Sequence, residues 1–262
     1  MNVAEQPLWL VFLGSTILIA VAIEIGYLIG KVVRNRSDEE KESPVSAITG
    51  TVLALLAFML AFTFGIVSDR YDSRKALVRE QAITISTAYA RTDFLPDPDS
   101  EEAKALFRTY MDTLLAAADN DNSETLPELI AQLDDINVQL WDMGAENARL
   151  TPESDMMALY MDSLNSVGDV QALRVAVAVQ ARIPEGIWYA LAALMSLAMV
   201  AVGYQTAIAK SRRSWVLLLL ALSFSTVITL IAVLDNPESG YLPVSQQPLI
   251  DVQTAINEDT SP

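Results

Sequence analysis

Apolar positions along this chain fall into two patterns. Four long runs, Leu8 to Gly30, Val45 to Val67, Ile187 to Ala209 and Trp215 to Leu234, are nearly free of charge. Each holds about 20 residues, the length a helix needs to cross roughly 30 Å of hydrocarbon. Glu24 is the only acidic or basic side chain inside them. This pattern predicts four transmembrane helices.

The stretch between the second and third runs alternates polar and apolar residues with a helical period. Ala103, Leu106, Phe107, Tyr110, Met111, Leu114, Leu115 and Ala118 follow the i, i+3, i+4, i+7 spacing behind a start at Asp99 or Ser100. A second amphipathic helix is expected from Thr125, with Pro127 in its first turn and Glu128 placed for a capping box. Its apolar face would hold Leu129, Ile130, Leu133, Ile136, Leu140 and Trp141. A third is expected from Thr151, with Pro152 as its first residue, through Met156, Tyr160, Leu164, Val167 and Val177, reaching the membrane at Pro184. Strand-type alternation is missing, so the fold class is all-α.

No Gly or Pro separates the second span from the segment Asp69 to Tyr89, so one helix should run out of the bilayer as a continuous rod. The expected organisation is a first transmembrane pair over 1–68 and a helical soluble bundle over 69–186, continuous with the second span. A second pair over 187–234 and a tail over 235–262 with a short amphipathic helix complete it.

Composition agrees with a bilayer as part of the solvent: 52% of residues are hydrophobic and the mean hydropathy is +0.31. The charge balance, 17 basic against 33 acidic residues for a net of -16, speaks against a phosphate-backbone partner, so no nucleic acid is expected. With neither histidine nor cysteine, the chain has no imidazole base, thiolate, disulfide or Cys/His zinc site. No nucleophile elbow, phosphate loop, HExxH or dinucleotide fingerprint occurs. An enzyme is not expected, nor a cofactor or metal.

The first apolar run is not read as a cleaved signal, because Glu5 and no base precedes it, its core is too long and no small-residue cleavage site follows. The loop after it carries Lys31, Arg34, Arg36 and Lys41, and the loop between the last two spans carries Lys210, Arg212 and Arg213. Positive charge favours the cytoplasm. Both termini and the middle domain are therefore expected on the non-cytoplasmic side of a multi-pass protein of the cell (inner) membrane. Arg70, Arg74, Lys75 and Arg79 on the other flank of the second span oppose this, though long domains count for less.

A few positions stand out as candidate chemistry. Glu24, an intramembrane carboxylate, would face a cavity, an ion path or a partner helix, or else reach headgroup water beside Lys31 or Arg213. Gly26 and Gly30 have the GxxxG spacing that allows two helices to approach closely. Phe58, Phe62 and Ile66 recur at i, i+4 and i+8, and in a symmetric oligomer that stripe could form an apolar constriction lining a pore. Lipid or core packing would use the same stripe. Ser223, Ser225, Thr226 and Thr229 give the last span a polar side suited to interhelical hydrogen bonds. At the exit of the second span Asp69, Arg70, Asp72, Arg74, Lys75, Arg79 and Glu80 form a collar of both signs. Within it only Asp72 and Lys75 have opposite-charge helical spacing; Arg70, Arg74, Lys75 and Arg79 are candidates for a basic vestibule, against the plainer reading of a solvated helix face.

The stretch "SDRYDSRKALVREQAITISTAYARTDFLP" after the second span and "LDNPESGYLPVSQQPL" after the fourth resemble the paired signatures of the bestrophin-like family of membrane proteins. The resemblance extends to the layout of two spans, a helical middle and two spans. It carries Arg74, Tyr89 and Arg91 in the first signature, and Asp235, Pro237, Gly240, Val244, Pro248 and Leu249 in the second. Two positions depart from it: Gln81 stands where the family usually has glutamate, and Glu238 where it usually has an aromatic. The resemblance implies a homo-oligomeric membrane protein and, by analogy with bestrophin anion channels, an ion channel. In bestrophins proper the soluble part is cytosolic, opposite to the orientation read from charge. Partners are thus the lipid bilayer, further copies of the chain and ions; the competing expectation is a membrane-anchored helical sensor or scaffold that binds a partner through its soluble domain.

Overall fold

The computed structural model describes residues 6–36, 42–120, 124–180, 183–210, 215–236 and 242–259. The fold is all-helical, 89% helix, with no strand among the described residues. Among the described residues eight α-helices follow in order: α1 (Leu8–Arg36), α2 (Glu42–Ala90), α3 (Asp99–Ala118), α4 (Leu126–Leu150), α5 (Asp155–Gln180), α6 (Glu185–Ile208), α7 (Val216–Asp235) and α8 (Gln247–Glu258). A short 3-10 turn, Arg91–Phe94, follows α2. The chain divides into two compact units, one of Met1–Tyr71 with Arg182–Pro243, the other of Asp72–Ala181 with Val244–Pro262.

The first unit holds α1, the start of α2, α6 and α7, all long and apolar enough to span a bilayer. Its interior is built on Ile19, Leu56, Val67, Leu191, Met195, Met199 and Ile231, each almost fully buried. Leu13, Ile17, Leu28, Leu197, Leu218 and Leu230 are exposed on its outside. So much outward apolar surface is costly in water and costs nothing in hydrocarbon, and the protein is a multi-pass membrane protein.

Packing of α1 on α6 depends on glycine. A Cβ at Gly26 would fall 2.0 Å from the Val200 carbonyl oxygen, and one at Gly203 would fall 2.0 Å from that of Ile23. Gly30 continues the contact against Tyr204 and Ala207. Small residues on both helices let the backbones touch, which is how helices associate where the lipid is as apolar as they are. The polar side of α7 adds a bond between spans, since the Thr16 hydroxyl donates to Ser225 at 2.9 Å. Near the opposite end, Arg34 donates to the carbonyl of Ala207 at 2.7 Å, satisfying the α6 terminus.

The second unit holds the distal part of α2 with α3, α4, α5 and α8 around Ile85, Phe107, Tyr110, Met111, Leu133, Leu140, Tyr160 and Leu249. Asp99, Glu101 and Glu102 lie in the first turn of α3, where carboxylates oppose the positive helix end. Local details depart from the sequence expectations. Thr125 makes no capping bond to α4; its hydroxyl accepts from the Asn120 amide at 2.7 Å, so the capping box does not form. The first residue of helix α5 is Asp155 rather than Pro152, because the Ser154 hydroxyl accepts the Met157 N–H at 3.2 Å and so sets the start three residues later. Met156 then falls in the first turn, exposed, and Trp141 is also exposed while its neighbour Leu140 takes the core position. Helix α8 packs on α3 and buries Leu249 and Ile256 in this core.

Candidate functional site

Phe58 and Phe62 are 65% and 59% exposed on α2, with ring centroids 6.5 Å apart and planes 18° from parallel. Ile66, a turn further on, is half-buried. The opposite face of the same helix carries Leu56, Leu60, Thr63 and Val67 into the interior. The four-residue spacing thus sets the aromatic stripe on the side of α2 that this unit leaves uncovered. Glu24 is half-buried on α1, next to Ile23, whose carbonyl faces Gly203 of α6.

Beyond the span the charges sort differently from the expected collar. Arg70 turns to Asp235 at the end of α7, with Nη1 3.4 Å from Oδ1. Asp235 is 1% exposed, and the same Oδ1 accepts the Ile183 backbone N–H at 2.9 Å. One carboxylate thereby ties α2, α7 and the segment leading into α6. Arg74 is buried. Lys75 pairs with Asp72 at 3.4 Å, the one pair that helical spacing offered, and Arg79 is exposed. Two of the four vestibule candidates are therefore turned into protein, because long-range packing, invisible to helical spacing, supplies their surroundings. Pro237 and Gly240 lie outside the described residues.

The other signature residues are held in the helical unit. The Tyr89 hydroxyl donates to Asp259 at 3.1 Å and accepts a long 3.5 Å contact from Arg108, while its ring meets Phe107 edge-on at 6.2 Å. Arg91 donates to the Leu159 carbonyl at 2.6 Å, fixing the turn after α2 to α5. Beside Tyr89 is an open cleft of about 270 Å³ lined by Ser86, Asp93, Lys104, Ala255 and Asp259 among others. Lys104 spans it to Asp93 at 2.8 Å, and that hydrogen bond raises its pKa above the ordinary lysine range. Among the described residues no three Asp or Glu side chains gather as metal ligands would.

A polar cluster that sequence reading passed over sits in the same unit. Gln81, fully buried, donates to Gln171 at 2.6 Å and accepts from Arg174. The other arm of Arg174 donates to Gln246, just before α8, at 2.7 Å. Burial lowers the Arg174 pKa, and the nearby Tyr110 phenol partly opposes this. Burial pushes the Tyr110 hydroxyl up to about 12, and it makes no hydrogen bond of good geometry although Gln81 and Asn137 lie alongside. The signal was present in the sequence: Arg174 is the sole base between Arg149 and Arg182, set in an apolar run.

This arrangement of spans and bundle recurs in solved structures. A bacterial bestrophin homologue from Klebsiella pneumoniae with a leucine-to-threonine mutation aligns over 98% of this chain and 100% of its own, with a TM-score of 0.66 and 13% identity. A tyrosine-to-alanine form of a Klebsiella pneumoniae bestrophin homologue aligns over 95% and 97%, with a TM-score of 0.62 and 14% identity. A membrane protein with a proline-to-alanine mutation aligns over 97% and 99%, with a TM-score of 0.63 and 13% identity. No curated protein matches the sequence. At these identities the likeness establishes the fold, and the sequence itself matches the bestrophin-like domain over residues 16–249. Four spans, a helical unit closed by α8 and a family match across most of its length together mean that this chain belongs to the bestrophin-like family of membrane proteins.

Proposed function

We propose that the chain is one subunit of a homo-oligomeric ion channel of the cell (inner) membrane, with its pore lined by the first half of α2. The observation that carries this reading is the stacked, uncovered pair Phe58 and Phe62 on a helix whose other face is core. Repeated around an axis, these rings and Ile66 form an apolar neck that gates by dewetting, and oligomer contacts cover a face the single chain leaves bare. The fold shared with bacterial bestrophin homologues along nearly the whole chain supports the same reading. No catalytic step belongs to it.

The exposed charges of α2 beyond the neck are mixed, with Asp69, Asp72 and Glu80 beside Lys75 and Arg79, while Arg70 pairs with Asp235 and Arg74 is buried. The outward-facing vestibule candidates Lys75 and Arg79 thus stand among carboxylates.

The helical unit and both termini face away from the cytoplasm in this reading, because the short loops between spans hold the concentrated bases. The chain has no native cysteine, so single introduced thiols report cleanly. Ala118→Cys, exposed at the end of α3, should react with an impermeant thiol reagent in intact cells exposing the outer face of the membrane, and Ser43→Cys should not. The opposite pattern would put the helical unit in the cytosol. The channel reading itself is tested by ion flux from liposomes that contain the purified protein. Flux above that of protein-free liposomes supports it, and a well-folded protein that passes no ion of either sign leaves the membrane-anchored scaffold as the better account.

A further inference from the structure

The bare face of α2 does not end at the aromatic stripe. Phe58, Phe62, Gly65 and Asp69 recur at i, i+4, i+7 and i+11. At about 100° per residue they lie within about 60° of one another around the helix. Phe58, Phe62 and Asp69 are exposed, and nothing lies within 4 Å of where a Cβ at Gly65 would stand. From Ser43 to Ser68 α2 carries no charged side chain, so Asp69 is the first charge met beyond the apolar stripe.

The charges around this end of the membrane unit keep its sign negative. Arg70, one residue on and so about 100° further round the helix, turns to the buried Asp235, with Nη1 3.4 Å from Oδ1. Asp235 closes α7 and holds the Ile183 N–H ahead of α6, whose first residue, Glu185, is exposed at the same end. Among the described residues of this end, Asp69, Glu185 and Asp235 therefore stand against Arg70 alone, three carboxylates to one guanidinium. Further along α2, Lys75 pairs with Asp72 at 3.4 Å and Arg79 adjoins Glu80.

An apolar constriction resists every hydrated ion and prefers neither sign; rings of charged side chains supply the preference. A narrow passage with low-dielectric walls focuses the field of such a ring and concentrates its counter-ions. We propose, on the basis of the channel reading above, that Asp69 is the selectivity-determining residue and that the conducted ion is a small inorganic cation. Repeated around the axis, Asp69 forms a ring of carboxylates at the end of the neck formed by Phe58 and Phe62. Cations gather there and chloride is repelled. The sign is opposite to the one that analogy with bestrophin anion channels implies.

The test is the reversal potential of the full chain in planar bilayers under a gradient of potassium chloride, which yields the permeability ratio of potassium to chloride. The unsubstituted chain should favour potassium by about tenfold or more, the lower end of what a focused field achieves. Asp69→Asn removes the ring's charge at nearly constant shape and should bring the ratio toward equality, and Asp69→Lys should favour chloride. Asp69→Glu keeps the charge and should keep the preference. Asp135→Asn, exposed on α4, removes the same charge from another helix and should leave the ratio unchanged. Current that favours chloride, a ratio unmoved in Asp69→Asn, or one lost equally in Asp69→Glu or Asp135→Asn would overturn the role of Asp69 and leave the channel reading standing. No current from the unsubstituted chain would overturn both.

Discussion

Replacing Gly203 with alanine tests the packing of the membrane unit where the geometry is least forgiving. The added Cβ would meet the Ile23 carbonyl oxygen at 2.0 Å and the Tyr27 backbone nitrogen at 2.8 Å, whereas real Cβ atoms are essentially never found closer than 3.0 Å. The obstacle is backbone of α1, which has no rotamer to change, so the two helices must separate by about 1 Å. A gap of about 0.5 to 1 Å forfeits a quarter to a half of the dispersion attraction across the contact. Added to overpacking, the expected cost is about 2 to 3 kcal/mol. Gly14→Ala and Gly65→Ala serve as controls, because nothing lies within 4 Å of either new Cβ. In a helix interior they should stabilise by about 0.5 to 1 kcal/mol. Equilibrium unfolding in mixed detergent micelles, followed by the fluorescence of buried Trp188 on α6, measures all three. If Gly203→Ala unfolds at the same midpoint as Gly14→Ala, glycine-mediated approach of α1 and α6 is not what holds this unit.

Phe62→Ala should raise ion flux by widening the apolar neck, while unfolding of the subunit shifts by less than about 1 kcal/mol, because the ring is 59% exposed. A loss of about 3 kcal/mol or more with no gain of flux would mean that the ring is packed as core and does not line a pore. Asp235→Asn keeps an acceptor for the Ile183 N–H but loses the charge facing Arg70, and should cost about 1 to 3 kcal/mol in the same micelle unfolding; an unchanged midpoint would show that this carboxylate is not a tie. Because burial raises the Tyr110 pKa from 10.0 to about 12, the folded state keeps a proton that the unfolded chain has lost. Stability should therefore be fully present below pH 10 and fall as pH rises toward about 12, and Tyr110→Phe should remove that part of the decline. An identical high-pH profile in Tyr110→Phe would refute the assignment.

The sequence by itself determined the features that depend on neighbours within one or two helical turns. Four spans are legible because length and hydropathy are local, and most of the α3 face, Ala103 through Leu114, is buried as its period requires. The two signatures pointed to the family before any coordinate was needed. Even short-range reading failed where two local solutions compete: Ser154 captured the start of α5, and Asn120 took the hydroxyl that Thr125 would have used as a cap. Tertiary structure alone decided which charges face solvent. Arg70 and Asp235 are 165 residues apart, and Arg174 is 93 from Gln81, so helical spacing could reveal neither contact. The reach of α8 to Asp259 beneath Tyr89 is equally remote in sequence, at 170 residues. A side chain's exposure is set by what folds over it, and the energy of a charge depends on that burial more than on its neighbours along the chain. For that reason four bases that spacing set on one helix take different surroundings in the fold, Arg70 facing Asp235, Arg74 buried, and Lys75 and Arg79 on a mixed surface, while a lone arginine in an apolar run became the centre of a polar cluster.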